Sequence, residues 1–136
     1  MTAVETQTKS SIQYPERTLK RAERAMRCSP FQLQLFSRMR YDSVNLNAMV
    51  GQSGVNADYT SQPLAELVAE NALLWLIQVG VLRREVDGQG ITDSFRLTPL
   101  GRQLVEQWEN QNQTIPTASI CDRINNSFNR WLRLPL

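Results

Sequence analysis

The sequence predicts a mainly helical α+β domain with one small β-hairpin, and three observations carry that reading. Apolar residues recur at helical spacing through most of the chain. Two short strand-like runs, residues 81–86 and 91–97, flank the turn sequence Asp87-Gly88-Gln89-Gly90. Leu97-Thr98-Pro99 then turns the second run into another helix, with a capping hydroxyl followed by a first-turn proline. The 136 residues are about the usual size of one domain, and 41% hydrophobic with 21% charged is ordinary globular usage. One core is therefore expected.

Residues 1–13 lack periodicity and read as a polar tail with no structure assigned. From Pro15, a helix places Leu19, Ala22 and Met26 on one stripe and Arg17, Lys20, Arg21, Arg24 and Arg27 on the opposite arc. It is expected to stop near Cys28, where Ser29-Pro30 repeats the signal that starts a helix. A second helix buries Phe31, Leu35, Phe36 and Met39. Ser43 is expected to cap a short third helix carrying Val44, Leu46, Met49 and Val50, ended by Gly51 and Gly54 and followed by a loop through Thr60. The longest apolar pattern, Leu64 to Val79, predicts a helix that ends on Gly80. Asp87-Gly88 is expected to supply the positive φ of a tight hairpin. Thr98 caps a further helix with Leu100, Leu104 and Trp108 on one face.

The domain so defined covers residues 14–109. Residues 110–119 read as a polar linker, and residues 120–136 as a C-terminal amphipathic helix. Projected at 100° per residue, Ile120, Ile124, Phe128, Trp131 and Leu132 share one arc while Arg123, Arg130 and Arg133 share another.

The string GVLRREVDGQGITDSFRLTPLGRQL, residues 80–104, resembles the wing of a winged helix-turn-helix domain of the MarR/PadR type. Each element has a mechanical reason: Gly80 ends the supposed recognition helix, Leu97 drops into the core, Thr98 caps and Pro99 opens the next helix. The whole chain, with its RWLRLP run at residues 130–135, is similar to a small group of cyanobacterial winged-helix proteins with no assigned function. The resemblance implies a winged helix-turn-helix with extra N- and C-terminal helices. It also implies a DNA-associated, transcription-related regulator; the polar, basic first 30 residues and the lack of a membrane-length apolar run make the cytoplasm the expected location.

The residues qualify that expectation. With no histidine in the chain, histidine-dependent nucleophilic catalysis, histidine-ligated zinc and histidine pH switching are excluded as internal mechanisms. Cys28 and Cys121 stand far apart with no C-x-x-C spacing, so no metal knuckle or disulfide framework is indicated. No membrane span and no paired carboxylates stand out, so catalytic residues, metal, cofactor and small-molecule sites are all expected to be absent.

Charge is uneven along the chain: residues 1–40 hold eight Lys or Arg against three acids, whereas residues 41–80 hold no base and four acids. Candidate nucleic-acid contacts are therefore Arg17, Lys20, Arg21, Arg24 and Arg27 on the first helix, with Arg83, Arg84 and Arg96 on the wing. Equally, the first set reads as a solvated helix face, and the second as cross-hairpin partners of Glu85, Asp87 and Asp93. Glu66 and Glu70 on the supposed recognition helix oppose phosphate binding there. That favours the alternative function, a protein-interaction module that kept the fold without reading DNA. For a partner or homodimer interface the candidates are Leu73, Trp75, Leu76, Phe128, Trp131 and Leu132, with the first three also readable as core.

Overall fold

In the structure, a computed structural model that describes residues 13–111, five helices surround a three-stranded antiparallel sheet. In chain order the elements are α1 (Glu16–Cys28), α2 (Leu33–Met39), β1 (Val44–Asn45), a 3-10 turn (Leu46–Ala48), α3 (Gly51–Asn56), α4 (Glu66–Gln78), β2 (Leu82–Asp87), β3 (Gly90–Leu97) and α5 (Pro99–Gln111). The fold is mainly α with a small hairpin wing, as the sequence predicts. The expected tail through residue 12, most of the linker and the C-terminal helix with Phe128, Trp131 and Leu132 lie outside the described residues. Asn110 and Gln111, assigned to the linker, are the last residues of α5.

Strand order is β1-β3-β2, with β3 central, Val44 opposite Phe95 and Leu82 opposite Leu97. One apolar core joins α1, α2, α4 and α5 to the sheet and the 3-10 turn, while α3 buries only Gly54. Ala22 and Met26 of α1, Leu35 and Phe36 of α2, Leu73 and Leu76 of α4, Phe95 of β3 and Trp108 of α5 are all buried in it. Phe31 and Phe36 meet edge to face, with ring centroids 6.4 Å apart, an arrangement aromatic quadrupoles favour.

Residues 43–60 depart from the expected helix and loop. Val44 and Asn45 pair with β3, and the Asn45 side chain accepts the Asn47 N–H at 2.9 Å to start the 3-10 turn. Val44 is extended and Leu46 opens the 3-10 turn, and both are buried, a spacing of two that is as visible in the sequence as the helical one. Gly51 and Gly54 do not end a helix but lie inside α3. A Cβ on Gly54 would stand 2.4 Å from the Met49 carbonyl oxygen, so the glycine permits close packing of two turns. Residues 57–65 then join α3 to α4, longer than the three or four residues of a tight helix-turn-helix. That connection is held by Gln32 N–H to the Tyr59 carbonyl and Gly51 N–H to the Leu64 carbonyl, both 2.9 Å. Phe31, placed by its sequence in the second helix, instead pairs as extended chain with Thr60, although it is buried as expected.

The wing turn also differs in detail. Asp87 faces Gly90, and its carboxylate accepts the Gln89 N–H at 2.7 Å. The positive φ falls on Gly90, at 120°, and not on Gly88. Farther along, the register slips between Arg84 and Val86, so that Thr92, Asp93 and Ser94 face the single residue Glu85. Thr92 donates its hydroxyl to the Glu85 carbonyl at 2.9 Å across this bulge. At the start of α5, Thr98 caps as expected: its Oγ1 accepts the Gly101 N–H at 3.1 Å and bonds the Val81 carbonyl at 3.0 Å.

Candidate interaction surface

Helix α4 has no capping side chain at its start, and its stability comes from burying one side. Ala69, Leu73 and Leu76 turn inward and vanish into the core, and Trp75 retains only 3% exposure. The assignment of Leu73, Trp75 and Leu76 to a partner surface is thereby corrected: their side chains close this chain's own core and have no area left for a second molecule.

On the other side of α4, Leu67, Asn71, Leu74 and Gln78 form an exposed stripe at spacings of four, three and four residues. Leu67 is 65% exposed and Leu74 38%, with Val68 exposed alongside and the acids Glu66 and Glu70 on the opposite flank. Residues 41–80 contain no Lys or Arg at all, so the side chains that α4 itself presents here are apolar, amide or, at Glu66 and Glu70, acidic. Beside Val68 opens a groove of about 480 Å³, walled by Arg27 and Cys28 at the end of α1, by Ser29 and Pro30 after it, and by Val68, Asn71 and Ala72 on α4. A second exposed apolar pair, Val86 and Ile91, stands directly opposed across the wing tip. These residues were not singled out from the sequence. The stripe period was legible there, but which stripe faces water depends on what packs on the other side.

Basic candidates divide into two sets that the fold keeps on different elements. On α1, Arg17, Lys20 and Arg21 are exposed, while Arg24 and Arg27 are half-buried nearer its end. Lys20 pairs with Glu16 at 3.2 Å and Arg27 with Glu23 at 3.1 Å, one helical turn apart in each case. On the wing every arginine has a carboxylate within 4 Å. Arg83 and Arg96 are opposed in register and both reach Glu85 at 3.7 Å, while Arg84 lies 3.9 Å from Asp93. The Arg84 guanidinium also sits 5.0 Å from the centre of the Phe95 ring, and Arg96 donates to the Tyr41 carbonyl at 3.2 Å. Exposed pairs of this kind contribute only a few tenths of a kcal/mol to about 1 kcal/mol each, but they lower the local positive potential a polyanion would feel.

Among the described residues no group of three or more Cys, Asp or Glu is placed to hold a metal ion, and no helix is long and apolar enough to cross a membrane. A sequence family described as Npun_F0494-like matches residues 12–130, nearly the whole chain. No curated protein and no solved structure matches it.

Proposed function

The chain belongs to the Npun_F0494-like family, and from that premise we propose that it is a non-enzymatic binding protein whose outward α4 face docks a protein partner. One observation carries the reading. The helix that would enter a DNA groove, in the order of elements a winged helix-turn-helix has, presents Leu67, Asn71 and Leu74 flanked by Glu66 and Glu70, with no cation from residue 41 to residue 80. Phosphate neutralisation by Lys and Arg supplies most of the affinity for a duplex, and this surface supplies the opposite sign. Apolar anchors with acids along one flank instead suit an amphipathic segment that carries a leucine-like ridge with Lys or Arg along one side. The exposed Val86 and Ile91 at the wing tip extend the apolar surface available to such a partner.

A second reading, a duplex held by its phosphates as in a small DNA-associated regulator, is favoured by one feature. Arg17 and Arg21 are exposed on one arc of α1 and make no ion pair among the described residues. Two measurements separate the readings. Fluorescence anisotropy with a labelled duplex across a salt series is expected to show no binding at low salt. Salt-dependent binding whose slope flattens by about one unit per lost contact in Arg17→Ala and Arg21→Ala would establish the second reading instead. In parallel, Leu67→Asp with Leu74→Asp is expected to abolish partner capture from native extract while leaving the melting temperature unchanged. Capture that survives this double change and is lost with the arginines would refute the α4 face.

A further inference from the structure

A leucine ridge with a cation along one side exists in this chain itself, on the face it would dock. The exposed stripe of α4 runs Leu67, Asn71, Leu74, Gln78, and its spacings of four, three and four are the d-a-d-a order of a two-stranded coiled coil with leucine at both d positions. A lone asparagine at an a position is the residue that fixes register in a parallel pair. Pairing two such helices in parallel sets like on like, leucine on leucine and amide on amide. Antiparallel pairing instead sets Asn71 against the partner's Leu74 and Gln78 against the partner's Leu67, leaving each amide facing hydrocarbon.

Charge selects the same orientation. The two flanks of the stripe differ, with Glu70 on one and Val68 on the other, where Arg27 walls the adjoining groove. Glu70 makes no ion pair of its own among the described residues. A parallel two-fold turns the Glu70 flank of each copy toward the partner's Val68 and Arg27, so unlike charges meet twice. An antiparallel two-fold turns the Glu70 flanks toward each other, where like charges repel.

We propose that the partner of the α4 face is a second copy of this chain, paired α4 to α4 in parallel, with Leu67, Asn71 and Leu74 each facing its own counterpart and Glu70 facing the partner's Arg27. This rests on the reading that the α4 face docks a protein, and it names that protein. The seam spans only two d positions, so the dimer is expected to be reversible, and its formation covers the apolar stripe that the folded monomer leaves in water.

Sedimentation equilibrium of the full chain over a micromolar to millimolar series is expected to show monomer in equilibrium with dimer. Leu67→Asp with Leu74→Asp is expected to weaken the dimer by about tenfold or more at an unchanged circular dichroism spectrum. Glu70→Gln separates the two orientations: parallel pairing predicts weaker association, whereas tighter association would put the Glu70 flanks together and overturn the proposal. Position 78 gives a geometric check, with both native cysteines first replaced by serine. In parallel register, Gln78→Cys stands opposite itself and is expected to oxidise to a covalent dimer with copper phenanthroline. In antiparallel pairing the two copies of that position lie about 16 Å apart along the axis, at 1.5 Å per residue, beyond the reach of a disulfide. Absence of that link in a protein that does dimerise would therefore overturn the proposal. A chain that stays monomeric throughout the series, while the double aspartate change still abolishes partner capture, would overturn the second copy and leave the docking reading with a foreign partner. A dimer untouched by the double aspartate change would overturn the proposal as well, since another face would then form it.

Discussion

Gly101 lies against the carbonyl oxygen of Val81: a Cβ at Gly101 would stand 2.4 Å from that oxygen and 2.8 Å from the Leu97 side chain. This contact lets α5 settle onto the junction between α4 and β2, with Thr98 bonding the Val81 carbonyl from the other direction. Alanine in a helix interior ordinarily improves stability by up to about 1 kcal/mol over glycine. Here backbone would have to move, and overpacking costs about 1–3 kcal/mol or more. Gly101→Ala is therefore expected to lower the melting temperature by roughly 4 °C or more, read by circular dichroism. A rise would show that α5 does not approach the Val81 carbonyl.

The wing turn gives a paired test. Gly90 has φ at 120°, where an L side chain is strained, whereas Gly88 has ordinary φ and open space around its Cα. Gly90→Val is expected to destabilise the domain by about 1–3 kcal/mol, and Gly88→Val by much less. Urea denaturation of the two variants side by side decides it. The reverse order would mean that the turn is displaced.

Thr60 is buried, and its hydroxyl has no hydrogen-bond partner among the described residues. Removing such an orphan while keeping the shape recovers a desolvation penalty of about 1–3 kcal/mol. Thr60→Val leaves the backbone bond from Thr60 N–H to the Gly54 carbonyl in place. It is expected to raise stability by about 1 kcal/mol, measured from the denaturant midpoint at unchanged slope. Loss of stability would reveal a bond to that hydroxyl.

Arg40 ties α2 to α5 by pairing with Glu109, which also accepts the Ser37 hydroxyl, and it reaches Glu106 at 3.4 Å. Both members of the main pair are about three-quarters buried, so solvent screens them less than it does the wing pairs. A double-mutant cycle of Arg40→Ala and Glu109→Ala is expected to give a coupling of about 1 kcal/mol that shrinks with added salt. Additive effects would mean that the two helices are held by apolar packing alone.

Much of the framework is legible from local signals. The stripe Leu19, Ala22, Met26, the cap at Thr98, the α4 stop at Gly80 and the inward Leu97 each follow from periodicity or capping chemistry, which act within one or two turns. Residues 43–56 depart from the expected helix for the same reason. Glycine is the local sign of a break, yet Gly54 is there for a close approach to Met49, a constraint that exists only once the chain has folded back. That Arg83 and Arg96 both reach Glu85 depends on strand register, which no local signal in the sequence carries.

By itself, then, the sequence determined the class of fold, the order of its helices and hairpin, the absence of histidine chemistry and the absence of any cation along residues 41–80, because composition and short-range periodicity are properties of the chain alone. Only the tertiary structure decided which of the two apolar sides of α4 is core and which is surface. Leu73 and Leu67 are chemically identical and stand on the same helix. What separates them is that α1 and the sheet pack against the first and nothing among the described residues covers the second.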